Sequence, residues 1–320
     1  MSTTLHQYNI LNSNDRTRLI RVTDKIVKNC DTNNFLCNIR KKKIISKESV
    51  VQLVNDIVDL IYPGFYGNQA IDQSNLQHHL KSEAQNVFQQ LTHQISNCTL
   101  HECKKTNDAC QHCFKNSQEQ AFQFLEKIPS IRNLLLTDLH AAYRGDPAAK
   151  SHDEIIFSYP GFFAITVYRI AHELYKLNIP LLPRIMTEYA HCETGVDIHP
   201  GAKIEKGFFI DHGTGIVIGE TTEIGCNVRM YQGVTLGALS FKTRPDGSLT
   251  KGGKRHPTIG DDVTIYAGAT ILGGETLVGS RSIIGGNVWL THSIPQDTTI
   301  ILAEPRLKTI ENHMPVDYQI

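Results

Sequence analysis

In the first half of the chain, apolar residues recur at the three- and four-residue steps that place them on one face of a helix. Val50, Val54, Ile57 and Ile61 follow this rule between Ser49 and Ile61, and Pro63-Gly64 stops the run. Val87, Leu91 and Ile95 repeat the step, as do Phe124, Leu125 and Ile128 ahead of Pro129. Ser130 stands where an N-cap is expected for a helix through Ile131, Leu134, Leu135, Leu139 and Ala142, ended by Gly145. A further helix is predicted from Phe162 to Leu177. These segments predict an α-helical domain over residues 1–190.

From about Val196 the period changes to six. An aliphatic side chain recurs at Ile198, Ile204 and Ile210, then after a short slip at Ile218, Ile224, Met230 and Leu236. A second series runs through Ile259, Ile265 and Ile271, then Val278, Ile284 and Leu290. A helix needs a period of 3.6 and a strand a period of two, so a sustained six fits neither alone. It fits a parallel β-helix of hexapeptide repeats, with three short strands to a coil and the repeated aliphatic side chain pointing inward. The predicted class is α+β: helical domain first, then a β-helix over 191–295 and a tail over 296–320. Residues Ala238 to Pro257 interrupt the repeat and are rich in Gly, Lys and Arg, which predicts a loop extruded from one corner of the prism.

Composition narrows the function. The chain has 320 residues, and 32 Lys+Arg balance 32 Asp+Glu for a net charge of zero. That argues against a mainly electrostatic binder of nucleic acid or anionic membranes, which carries a basic excess. Apolar stretches such as Gly161 to Tyr168 fall short of the ~20 residues that a membrane span needs. The first residues lack the basic-then-apolar order of a signal peptide, so a cytoplasmic location with reduced thiols is expected for the eight cysteines.

Reactive side chains concentrate in four segments: Arg144-Gly145-Asp146-Pro147-Ala148, Gly195-Val196-Asp197-Ile198-His199-Pro200, Ile210-Asp211-His212-Gly213-Thr214-Gly215 and Gly252-Gly253-Lys254-Arg255-His256-Pro257. In this order, on a hexapeptide β-helix behind a helical domain, they resemble the serine O-acetyltransferases over roughly residues 131 to 303. The resemblance implies a left-handed β-helix. It also implies transfer of acetyl from acetyl-CoA to the hydroxyl of L-serine, the first committed step of cysteine synthesis, with L-cysteine competing for the serine site. No metal is required for that reaction.

The chemistry gives His212 a role of its own, because acyl transfer to an alcohol needs a base of near-neutral pKa for the hydroxyl proton. The resemblance makes His212 that base and Asp197 the carboxylate that orients it. They lie fifteen residues apart, close to one coil of about eighteen residues, which suggests neighbouring coils. By the same resemblance Arg255 takes the serine carboxylate with its planar fork. Asp146 and Asp211 take the ammonium, and His256 lies near the hydroxyl. Read alone, Asp146 is ordinary Asp-Pro turn chemistry and Arg255 a solvated loop charge. His199 reads as structural.

For acetyl-CoA, the resemblance places Gly237, Ala238, Ala267 and Gly286 along a groove between neighbouring prisms. Tight corners are an equal reading for each of them. Lys242, Arg244, Lys251 and Lys254 are candidates for the CoA phosphates, with solvated charges the favoured reading. The chain departs from the family's pattern in three places: this long loop, Glu304-Pro305-Arg306-Leu307-Lys308, and the insertion holding Cys98, Cys103, Cys110 and Cys113. Four thiolates could hold a structural zinc, but their spacing matches no standard zinc module, and free thiols are favoured. Partners implied are a homotrimer or dimer of trimers and, through Ile320, O-acetylserine sulfhydrylase. An acyltransferase for sugars or nucleotide-sugars is the alternative, though it would not need Asp146, Asp211 and Arg255 together. A zinc lyase of the β-helix carbonic-anhydrase type would need a close histidine pair that His199, His212, His256 and His292 do not supply.

Overall fold

The computed structural model describes residues 13–29, 45–67, 70–102, 111–241, 243–250 and 252–303, with the side chains at 13, 29 and 111–114 excepted. Expectations on Cys103, Cys110, Cys113, Lys242, Lys251, Arg306, Lys308 and Ile320 lie outside the described residues. Helix α1 (Ser13–Asn29) belongs to a compact unit of its own and exposes Leu19, Ile20, Val22, Ile26 and Val27. Everything from Ile44 onward forms a second unit.

Among the described residues, seven helices open that second unit: α2 (Lys47–Ile61), α3 (Leu76–Glu102), α4 (Gln111–Leu125), α5 (Ile128–Gly145), α6 (His152–Ser158), α7 (Pro160–Lys176) and α8 (Leu182–Thr194). The predicted apolar stripe of α2 is its buried face, and Ser46 caps it by accepting from the Ser49 N–H at 3.3 Å. One expectation needs correcting. Ser130 does not cap α5; Pro129, which lacks an N–H and has its φ preset, sits in the first turn, so the chain is already helical at Ser130. The Ser130 hydroxyl donates instead to the Lys127 carbonyl at 2.7 Å. Helix α7 is buried almost all round, with Ile165, Val167, Tyr168, Ile170 and Leu174 in the core. Each such side chain stabilises the fold by roughly 1.5–3 kcal/mol. Helices α6 and α8 lie between the predicted segments; Ser151 caps the first, and a left-handed Gly195 closes the second.

Strands then wind into a left-handed parallel β-helix. One sheet stacks β1 (Asp197–Ile198), β4 (Val217–Ile218), β7 (Thr235–Gly237), β10 (Thr270–Leu272) and β13 (Trp289–Leu290). A second stacks β2 (Lys203–Ile204), β5 (Glu223–Ile224), β8 (Thr258–Ile259) and β11 (Leu277–Val278). The third stacks β3 (Phe209–Asp211), β6 (Arg229–Tyr231), β9 (Thr264–Ile265), β12 (Ile283–Ile284) and β14 (Thr299–Ile300). Register explains the period of six. Ile198 lies beside Ile218, Ile218 beside Leu236, Leu236 beside Ile271 and Ile271 beside Leu290, all buried. Ile210, Met230, Ile265 and Ile284 form the matching buried column of the third sheet. Each aliphatic residue therefore packs on its counterpart one coil away, and the polar positions between them face outward.

The interruption leaves the prism after β7 and returns at β8, at the corner between the first and second sheets. Its tip is a short antiparallel ladder, Thr243 opposite Leu249, closed by Arg244 and Gly247 around Pro245-Asp246. Among the described residues, no helix is long and apolar enough to cross a membrane.

Candidate active site

The predicted site residues fall at the two edges of the first sheet. His212 sits at the corner where the third sheet turns into the first, between β3 and β4. Its backbone is left-handed, at φ 57°, but so are Asn227, Asp262, Arg281, Asn287 and Asp297, so this conformation comes from the coil geometry and not from the chemistry. The His212 ring is exposed, and its Nε2 lies 3.8 Å from Oδ1 of Asp211. This corner rests on the coil below, where a Cβ at Gly213 would come within 2.8 Å of the Val196 side chain.

Asp146, the C-cap of α5, reaches the same corner. Its carboxylate accepts from the Tyr159 hydroxyl and from the Ala148 N–H at 2.8 Å, and these bonds hold its pKa below the ordinary carboxylate range. The charges of His212 and Arg229 act on Asp146 in the same direction; burial, then Asp146 itself, raises the Tyr159 phenol, and the charge of Asp211 adds to that rise. Asp146, Asp211, His212 and Tyr159 therefore share one electrostatic neighbourhood, with two carboxylates available for an ammonium group.

Asp197 lies on β1, next to Val196. No hydrogen bond or ion pair joins it to His212 among the described residues; its Oδ1 is 3.7 Å from Nη1 of Arg184. Glu188, His191 and Asp197 bring ligand atoms within 4.8 Å of one another, an arrangement able to hold a cation, but the Arg184 guanidinium already pairs with Glu188 and Asp197.

Arg255 and His256 stand at the other edge of the sheet, where the first sheet turns into the second. Thr221 organises them. Its hydroxyl oxygen accepts from the Arg255 N–H at 2.9 Å and the His256 N–H at 3.1 Å, while its own N–H donates to His256 Nδ1 at 3.1 Å. An accepting Nδ1 leaves the proton of the neutral ring on Nε2, so His256 presents a donor. Burial, then the neighbouring Arg255 charge, pushes the His256 pKa down to about 4. The ring fits only because position 219 is glycine: a Cβ there would lie 2.1 Å from it. Arg255 donates through Nη2 to Glu220, whose other oxygen accepts from Tyr175 at 3.1 Å. Nη1 of Arg255 is buried with no partner among the described residues. His199 makes a local backbone contact, its Nδ1 accepting from the Gly201 N–H at 3.0 Å.

The candidate cofactor positions divide in the same way. Ala267 and Gly286 continue the His212 column up the prism: the Gly268 N–H donates to the Gln232 carbonyl, and the Asn287 N–H to the Ala267 carbonyl, each at 2.9 Å. Around Gly286 the space is open except for that Ala267 carbonyl, 3.3 Å from where a Cβ would stand. Gly237 and Ala238 close β7 on the Arg255 side. Cys98 lies apart from both edges, buried on α3, with burial pushing its thiol up to about 12. Sequence reasoning missed Tyr159, Thr221, Glu220 and Tyr175. Thr221 and Glu220 follow Gly219 like any coil corner, and no motif spacing marks the two tyrosines.

No known family profile matches the chain. It is 45% identical over 270 residues to the plasmid serine acetyltransferase of Synechococcus elongatus, covering 83% of this chain and 84% of that protein. Among solved structures it resembles serine acetyltransferase 1 of Entamoeba histolytica in complex with L-cysteine, at 38% identity and a TM-score of 0.68 over 82% of this chain and 88% of that one. Isoform 3 from the same organism, in complex with cysteine, matches at 32% identity and a TM-score of 0.69 over 93% and 96% of the two chains.

Proposed function

The chain belongs to the serine acetyltransferase family, and we propose that His212 is the base of its reaction, assisted by residues at both edges of the first sheet. The enzyme transfers the acetyl group of acetyl-CoA to the hydroxyl of L-serine, giving O-acetylserine and CoA, and L-cysteine inhibits it by occupying the serine site.

Asp146 and Asp211 bind the serine ammonium and Arg255 binds its carboxylate. His212 takes the hydroxyl proton as the serine oxygen attacks the thioester carbonyl. Backbone N–H groups stabilise the oxyanion. When the tetrahedral intermediate collapses, the C–S bond breaks and the imidazolium returns its proton to the thiolate of CoA, so no covalent acyl-enzyme forms. Asp197, beside the Val196 that carries the His212 corner, orients the imidazole. Ala267 and Gly286 leave the column above His212 narrow enough for the pantetheine arm of acetyl-CoA to approach the backbone.

The observation that carries this reading is the part-exposed Arg255 side chain, fixed by Glu220 at one edge of the sheet, matched by Asp146 and Asp211 at the other. A zwitterionic amino acid needs both, and one protomer presents them on opposite edges. A homotrimer resolves this, each prism bringing its Arg255 corner to the His212 corner of its neighbour. The test is CoA-thiol release from acetyl-CoA with L-serine and with sugar acceptors. Turnover dependent on L-serine supports the reading, and turnover with sugars alone refutes it.

A further inference from the structure

The helical part of the fold meets the first coil of the prism through a buried charge network that the reaction does not use. Asp138 on α5 and Arg169 on α7 are both almost wholly buried, and Arg169 Nε and Nη2 donate to the two oxygens of Asp138 at 2.5 and 2.8 Å. Both groups also grip the chain of the first coil. Asp138 Oδ1 accepts from the Phe208 N–H at 2.8 Å. Arg169 donates to the Ile204 carbonyl at 3.1 Å and to the Glu205 carbonyl at 2.9 Å. Beside them, Thr137 Oγ1 accepts from the Gly207 N–H at 2.9 Å.

A buried ion pair is a poor means of stabilising a fold, since an apolar pair of equal volume does as well or better. What such a pair adds is direction. Here α5 and the segment from Gly207 to His212 lie side by side. Asp138 faces Phe208 at one end, and Gly145 presses on Phe209, where a Cβ would stand 2.7 Å from the ring. At the far end Asp146 accepts from Tyr159, and Gly161, two residues further on, lies 3.9 Å from where a Cβ of Gly213 would stand at the His212 corner. The network thus holds α5 about two turns before Asp146, and the chain that it grips at Phe208 runs on through β3 into Asp211 and His212.

We propose that the Thr137–Asp138–Arg169 network is a positioning device that fixes Asp146 relative to Asp211, and thereby sets the affinity for L-serine. The inference rests on the assignment of those two carboxylates to the serine ammonium. The cofactor column, on later coils, lies outside its reach.

Steady-state kinetics on Arg169→Lys, Thr137→Val and Asp146→Asn test it. Arg169→Lys keeps the charge and loses the fork, and should raise the KM for L-serine about tenfold. Thr137→Val, which removes one acceptor and no buried charge, should raise it about threefold. The KM for acetyl-CoA should stay within about twofold in both, a split that general loosening of the fold would not give. An unchanged L-serine KM in Thr137→Val, or equal rises for both substrates, overturns the proposal. If Asp146→Asn also leaves the L-serine KM unchanged, the assignment of the ammonium site has failed; if that KM rises while Thr137→Val is silent, only the positioning role has failed.

Discussion

Glu220 accepts a hydrogen bond from Nη2 of Arg255, and Nη1 of the same guanidinium is buried with no partner among the described residues. The carboxylate fixes the guanidinium, and in the proposed reaction that guanidinium binds the carboxylate of the substrate. Arg255→Lys cannot hold both groups and should raise the KM for L-serine at least about tenfold, with the KM for acetyl-CoA little changed. Glu220→Gln keeps an acceptor without its charge and should cost about twofold to fivefold in the same constant. Initial rates at varied L-serine check both.

Tyr159 is the largest influence on the lowered pKa of Asp146, ahead of the Ala148 N–H. A lowered carboxylate stays ionised, and able to bind ammonium, until the pH falls through its depressed value. Removing the phenol lets that value rise. Tyr159→Phe should therefore weaken L-serine binding by a margin that widens as the pH is lowered, because more of the variant's Asp146 is protonated there. Calorimetric titrations in which L-serine affinity falls with pH identically in the two proteins would contradict this.

His256, held neutral with a pKa of about 4, predicts a pH-dependent stability. The folded state disfavours the charged ring, so its stabilising contribution is complete above the usual histidine value of 6.5 and is lost as pH falls from there towards 4. Thermal unfolding should show a Tm drop between pH 7 and pH 4.5 that is smaller in His256→Gln. An equal drop in the two proteins would count against burial as the cause.

Gly219 makes room for the His256 ring. Gly219→Ala should displace that ring, lower kcat/KM for L-serine about tenfold or more and reduce the Tm. Wild-type kinetics in the alanine variant would mean that His256 has space that the packing denies.

Some of this was legible in the sequence, for physical reasons. A period of six survives because each aliphatic residue from Ile198 to Leu290 packs on its counterpart one coil away. The corner segments stand out because charged groups crowd positions that elsewhere hold small residues. Ser130 misled because cap propensity is local, and Pro129 one residue earlier starts the helix first. Tyr159, Tyr175 and Thr221 act through contacts between elements distant along the chain, which no local pattern encodes. Nor does spacing reveal that the motifs of Asp146 and Arg255 fall on opposite edges of one sheet, since that follows from how the coils turn.

That separation supplies the most direct test of the account. His212→Ala and Arg255→Ala protomers are each expected to be nearly inactive as pure proteins. Co-expressed in equal amounts and assembled at random, they should unite an intact His212 from one copy with an intact Arg255 from another in about a quarter of all sites, one site in each mixed trimer. L-serine-dependent CoA release at about a quarter of the wild-type rate is expected. Mixed trimers that assemble and stay as inactive as the parents would contradict it.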